Sequence, residues 1–454
     1  MEVIEIKPER NFLHSIGGLR SMKCGLYESD ITPPLGSIIP GGFGARYSTD
    51  VLEKIYARAF YCTNDGKSAA IVVIDACGIT LDITKRIRER VCAFIPMRES
   101  KIMVIATHTH TGGPTLNWGE EVVTDPFYLE LLVSRAADAV ICAHNRAQSA
   151  QLLIGHESLT GVSFIRIYRM KDGGLKTNPG VKNRDQVVEP FGEIDPDVAV
   201  LLAVCDDRPV GAIVNFALHS AINSGTKTSA DFIGVLSDEL KAHYGNDFVT
   251  LFINGACGNI NHINVFDEET FKPDRQIVVG RELARKVILA AQNAVPAGEK
   301  VAIIEKKINV KLRKPSEDDL LKAKNHFDTL GDSLPLSTPQ ASGYIETFFA
   351  LQAFQIAADK KIEREVYLQL IKIGEVCIVG NPCQMFVEYG RKVKSQCGEH
   401  VFFSDFANDY CGYVPTPECM VPGVYEARLA PTSGLERDAG EIICDSIIQM
   451  YQEL

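Results

Sequence analysis

Apolar runs of strand length alternate along the chain with longer stretches whose apolar residues recur every three or four positions. Ala69 to Ile74, Lys101 to Ala106, Val198 to Cys205, Val210 to Leu218 and Phe248 to Ile253 read as buried strands. Asp206, Asp207, Arg208 and Pro209 read as the turn of a hairpin between two of them. Helical periodicity runs over Asp82 to Phe94, Pro126 to His144, Asp231 to Tyr244 and Ile277 to Ala294. The last of these sets Ile277, Leu283, Val287 and Ala291 toward one face. The final third predicts a strand over Val301 to Val310, helices over Ser316 to Asp328 and Gly343 to Lys360, strands over Val366 to Ile373 and Val376 to Gly380, and a closing helix over Glu436 to Tyr451. Some neighbouring strands are joined by turns and others by helices. This predicts an α/β fold with mixed β-sheets flanked by helices.

Composition supports a large folded core. Of 454 residues, 46% are hydrophobic and 23% charged, which excludes a disordered or collagenous chain. Lys and Arg number 47 against 58 Asp and Glu, a net charge of −11 that argues against nucleic-acid binding. No apolar run reaches the roughly 18 residues of a membrane span, so no stable membrane insertion is expected. The opening MEVIEIKPERNFLHSIGG breaks its apolar runs with acidic residues and lacks the layout of a signal peptide. The 13 cysteines are an odd count without CxxC spacing. Cys77, Cys142, Cys205, Cys377 and Cys444 lie in apolar segments as small hydrophobes, and a reduced cytoplasmic protein is expected.

Polar, glycine-bearing segments follow three predicted strands: THTHTGGP (Thr107 to Pro114), His219, and NGACGNIN (Asn254 to Asn261). Ligand sites in α/β sheets gather beyond the carboxyl ends of strands. In an extended segment His108 and His110 point to one side, and a neutral imidazole is the commonest transition-metal ligand. A bare HxH suits two ordinary hydrogen-bonding loop histidines equally well. The adjacent Gly112 and Gly113 allow close backbone approach and favour a functional reading. His219 alone fits a satisfied core histidine, and NGACGNIN fits a glycine-rich turn. Cys257 has no general base beside it in sequence.

Taken together, these segments resemble the neutral/alkaline non-lysosomal ceramidase family, zinc-dependent amidases that split an N-acyl bond. The resemblance rests on GLYESDITPPLG (Gly25 to Gly36), ATHTHTGGP, NFALHS (Asn215 to Ser220), INGACGNIN, NPCQMFVEYG (Asn381 to Gly390), and NDYCGYVPTPE with VYEA through Ala427, in the family's order. It runs from about Met22 to the C-terminus. It implies an N-terminal extension over residues 1–22, then one ceramidase-like catalytic domain over residues 23–454 folded as a large layered sandwich. The family's C-terminal β-sandwich has no counterpart in the sequence.

The resemblance also implies roles. His108 and His219 match zinc ligands, joined by Tyr413 and by Gln384, which stands where the family has a glutamate. His110 and Tyr425 match residues contacting the reacting amide, and Arg166 matches an arginine beside the substrate. Asn261 occupies the position of the family's active-site serine, with Asn259 where an aspartate is usual. It retains an amide donor for an oxyanion but cannot be a serine-type nucleophile. Gln384 is a neutral and weaker ligand than a carboxylate. Glu388 lies one turn further on if that segment is helical. The expected function is a zinc-dependent hydrolase of a carbon–nitrogen bond in a small-molecule N-acyl substrate. Ester or lactone hydrolysis at the same site and a metal-poor binding protein remain as alternatives, and self-association stays open.

Overall fold

The computed structural model describes residues 22–117, 121–330 and 343–454. Residues 1–21, nearly all of the expected N-terminal extension, lie outside the described residues.

Three sheets carry the fold. The first contains β1 (Lys23–Asp30), β2 (Tyr56–Asn64), β3 (Lys67–Ile74) and β4 (Ile102–Ala106), in the order β4-β3-β2-β1. The second contains β5 (Gln151–Ser158), β6 (Asp197–Cys205), β7 (Arg208–Phe216) and β8 (Val249–Asn254), in the order β8-β7-β6-β5. The third contains β9 (Val301–Lys311), β10 (Glu363–Ile373), β11 (Val376–Gly380) and β12 (Val401–Ser404), in that order. Most neighbours are antiparallel, but each sheet holds one parallel pair: β3 with β4, β7 with β8, and β11 with β12. The fold is therefore α/β with mixed sheets, as the pattern predicts.

The period-two rule explains how the sheets stack. In β3, Ala69, Ile71 and Val73 face a core shared with Leu201, Ile213 and Ile253 of the second sheet and Ile371, Ile378 and Phe402 of the third. Ala70, Val72 and Ile74 face the opposite way, into the core that includes helices α1 (Leu81–Phe94) and α2 (Pro126–Asn145). Helices α3 (Phe232–Tyr244) and α4 (Arg275–Gln292) cover the second sheet. Helices α5 (Glu317–Leu330) and α6 (Tyr344–Ala358) pack on each other, while α7 (Val387–Cys397) and α8 (Ala439–Gln452) cover the third sheet. The sheets thus meet face to face with helices outside.

Several boundaries differ from expectation for identifiable reasons. The hairpin turn is only Asp206 and Asp207, both at positive φ (46° and 60°), while Arg208 and Pro209 already pair with β6. Two-residue hairpin turns of this kind require positive φ at both positions, which Asp tolerates. Strand β7 stops at Phe216 rather than Leu218, whose N–H turns to the Asn254 side chain at 3.2 Å. The closing helix starts at Ala439 rather than Glu436. Cys142 is half-buried, unlike Cys77, Cys205, Cys377 and Cys444, which are buried.

Candidate metal centre

The parallel pairs set the site. Ile74 lies beside Ala106 and Phe216 beside Asn254, so the segments leaving β3, β4, β7 and β8 emerge together within each pair. Ser220 joins the two sheets here: its hydroxyl donates to the Thr107 carbonyl at 2.9 Å, and His110 N–H donates to its carbonyl at 3.2 Å.

This brings three imidazoles to a point. The Nε2 atoms of His108, His110 and His219 are each 3.2 Å from the other two. His108 donates its Nδ1–H to the Cys77 carbonyl at 2.5 Å, and His110 donates its Nδ1–H to the Gly41 carbonyl at 2.9 Å. A carbonyl only accepts, so both neutral rings present a bare lone pair at Nε2. Burial keeps the rings neutral: it holds His110 down to about 4 and keeps His108 and His219 well below the usual imidazole range. Three converging imidazole nitrogens, two of them on rings whose protons are turned outward, fit a cation. Four nitrogens at zinc's usual distance of about 2.0–2.1 Å in a tetrahedron are separated by roughly 3.3 Å, close to the spacing seen.

His108 does not reach this point by extended alternation. Its φ is +65°, and its ring stacks on Phe406 at 4.1 Å and 8°. Cys77, expected only as a small hydrophobe, stands 4.0 Å from His108 Nδ1 and forms a potential donor group with His108 and His110. Its place is on the Nδ1 side, however, where that nitrogen already serves a carbonyl. Burial also pushes its thiol up to about 12. The Nε2 triangle with His219 is the better cation site.

The other expected residues divide into two groups. A cavity of about 430 Å³ is lined by His110, His219, Arg166, Asn261, Tyr413 and Tyr425, together with Thr177, Asn178 and His262. Tyr413 and Tyr425 meet edge to face at 6.0 Å, and the Arg166 guanidinium lies 5.5 Å from the Tyr413 ring. Asn261 donates one amide proton to Asn178 Oδ1 at 2.7 Å and accepts from Ile263 N–H at 3.0 Å, leaving its second amide proton for the cavity. Gln384 does not line the cavity. It is buried opposite Tyr413 in the short parallel pair of Cys383–Met385 and Gly412–Val414, where its amide donates to Tyr410 Oη at 2.5 Å and its own carbonyl oxygen has no hydrogen-bond partner among the described residues. Glu388 is helical but bound elsewhere, accepting from Asn259 Nδ2 at 2.9 Å.

The family model for the neutral/alkaline non-lysosomal ceramidase N-terminal region matches residues 22–265. The chain belongs to the neutral/alkaline ceramidase family. Among solved structures, this ceramidase-family chain is similar to the neutral ceramidase from Pseudomonas aeruginosa, with a TM-score of 0.72 and 18% identity over 96% of this chain and 75% of that one. It is also similar to a ceramidase complexed with C2, with a TM-score of 0.70 and 18% identity over 95% of this chain and 75% of that one. At such identity the likeness is one of fold. No curated protein sequence matches.

Sequence reasoning missed Glu426 and Phe406. Glu426 is fully buried, with its Oε1 2.6 Å from Arg166 Nε. A lone acid directly after Tyr425 in VYEA was the available signal. Phe406 carried none, since its stacking on His108 depends on a positive φ of 60° in a distant loop.

Proposed function

We propose that the chain is a metal-dependent hydrolase that cleaves the carbon–nitrogen bond of an N-acyl compound in the cavity beside the histidine triad. The observation carrying this reading is the set of three Nε2 atoms 3.2 Å apart, two with tautomers fixed by backbone carbonyls. His108 and His219 would hold a zinc ion, with Tyr413 and the unpartnered Gln384 carbonyl as the further oxygen donors. Bound there, zinc supplies Lewis-acid polarisation and a water activated at neutral pH.

The chain's own residues account for the rest of the chemistry. Asn261 lines the cavity with an amide whose Nδ2 has a second proton to give, and Tyr425 presents a phenol that burial keeps protonated. Both suit an oxyanion as it develops on the amide carbonyl. His110 is less buried than His108 and also lines the cavity, a suitable position for carrying a proton to the leaving amine. Water adds hydroxyl to the acyl carbon and a proton to nitrogen, giving a carboxylic acid and an amine.

The family relationship supports an amide substrate of the ceramide type. The aromatic cluster of Phe43, Phe348 and Phe349 beside Tyr425 offers apolar surface next to the polar cavity. The test pairs metal content with hydrolysis of short- and long-chain N-acyl amines. Wild-type protein should hold close to one zinc per chain and release the amine. His108→Ala should lose both properties. Gln384→Glu should bind zinc more tightly if that oxygen belongs to the donor set. Full zinc in His108→Ala would refute its assignment, and unchanged affinity in Gln384→Glu would remove Gln384 from the set.

A further inference from the structure

Among the described residues Arg166 is the only arginine or lysine lining the cavity beside the triad, and it is buried. Its Nη2 donates to the Gly258 carbonyl at 2.5 Å, and its backbone N–H donates to the Asn259 carbonyl at 2.9 Å. These contacts fix the guanidinium against the loop that follows β8, but carbonyls do not cancel its charge. Arg166 shares the cavity wall with His110 and His219. A divalent cation beside an uncompensated guanidinium would be repelled, and low-dielectric surroundings screen that repulsion poorly.

Glu426 supplies the compensation. It is 0% exposed, and among the described residues it is the only carboxylate that forms an ion pair with Arg166. Its Oε2 accepts from the Thr177 hydroxyl at 2.7 Å, and the same hydroxyl oxygen accepts Tyr425 N–H at 3.0 Å. Its backbone carbonyl accepts from the Ser433 hydroxyl at 2.5 Å. The carboxylate is therefore held from both ends, and it is coupled to the cavity residues Thr177 and Tyr425.

We propose that Glu426 is a positioning residue for the metal centre: it neutralises and aims Arg166, so that a divalent cation can sit at His108 and His219 with a guanidinium in the adjoining wall. The inference rests on the metal reading above and extends it to a residue that touches neither metal nor substrate.

The test is a double-mutant cycle on zinc affinity, measured by competition with a chromophoric chelator in the full-length protein. Glu426→Gln, which keeps shape but removes the charge, should weaken zinc binding about tenfold, a typical scale for loss of one neighbouring charge. Adding Arg166→Met to Glu426→Gln should return affinity to within about threefold of wild type, because the charge needing compensation has gone. A purely structural role would leave the double variant at least as weak as the single one. That result overturns the proposal, as does a Glu426→Gln affinity within about threefold of wild type. If Glu426→Gln does not fold, Arg166→Met alone decides: zinc binding at least as tight as wild type supports the proposal, and weaker binding overturns it. Wild-type protein that takes up no zinc overturns the metal reading and this inference together, whereas normal wild-type binding with a failed cycle overturns this inference alone.

Discussion

Asp405 offers a test of the scaffold that is independent of any metal. It follows β12, is fully buried, and its carboxylate accepts three hydrogen bonds: Cys257 N–H and Met385 N–H to Oδ2, both at 3.1 Å, and Asn381 Nδ2 to Oδ1 at 3.2 Å. It thereby clamps the glycine-rich loop after β8 to the strand carrying Gln384. Asp405→Ala would leave three buried donors unsatisfied, at about 1–3 kcal/mol each. An offset works against this, because burial drives the carboxyl's pKa well above its usual range and marks the charge itself as costly to hold. The net loss should be about 3–6 kcal/mol, a large share of a typical domain's stability. Asp405→Asn retains one acceptor oxygen but turns an NH₂ toward existing donors, so its cost should fall between wild type and alanine. Urea unfolding followed by circular dichroism measures both, with the alanine midpoint moving down at unchanged m. An alanine variant within about 1 kcal/mol of wild type would refute the clamp, because donors truly left unpaired cannot be that cheap.

Two further perturbations probe the surroundings of the site. A Cβ at Gly258 would lie 2.6 Å from the Gln384 carbonyl oxygen and 3.0 Å from that of Met385, both backbone atoms. Gly258→Ala should therefore cost about 1–3 kcal/mol and lower hydrolysis more than a distant variant of equal stability; an unchanged melting temperature would contradict the close approach. Burial pushes the Glu53 carboxyl from 4.5 up to about 7, with Ser229 Oγ donating to it and Asp231 nearby adding like charge. The folded chain then keeps a proton that the unfolded chain has released, so stability is highest at and below pH 4.5 for this group and falls as pH rises toward 7. The loss is about 3 kcal/mol. Glu53→Gln should flatten that slope in chemical-denaturation titrations and be more stable than wild type at pH 8; a slope equal to wild type's would reject the assignment.

Much of the fold was legible because burial and periodicity coincide. In β3 and β4 every core position is apolar, and in α4 Leu283, Val287 and Ala291 are buried at helical spacing. Strand β2 was not legible, since it contains Arg58, whose burial is made tolerable by ion pairs at 2.7 Å with Asp75, from beyond the next strand, and at 3.4 Å with Glu28. Helix α7 was obscured by its charged residues and by Gly390, which is glycine because a Cβ there would come within 2.7 Å of the Ala256 methyl. At the site, six of the eight residues named from sequence converge on one cavity. The missing information was conformational and non-local. The left-handed backbone at His108 and the partnership of Arg166 with Glu426 join segments whose proximity no spacing rule records.

The parallel pairs explain why fold and chemistry separate so cleanly in this chain. Parallel neighbours direct their carboxyl ends to the same edge, so β3 and β4 deliver Cys77, His108 and His110 together, and β7 and β8 deliver His219, Cys257 and Asn261. The third pair, β11 and β12, precedes Gln384, Asp405 and Tyr413. Within each pair the registers are set by apolar strand residues packed in the common core, not by the polar residues that follow. Changes of side chain at Gln384 or Asn261 would therefore leave the registers of these three pairs untouched. An 18% identical chain can accordingly keep a TM-score of 0.72. By the same reasoning, fold likeness says nothing of the strength of any chemistry at these strand ends. That strength depends on the side chains at the carboxyl ends, beginning with the three nitrogens 3.2 Å apart.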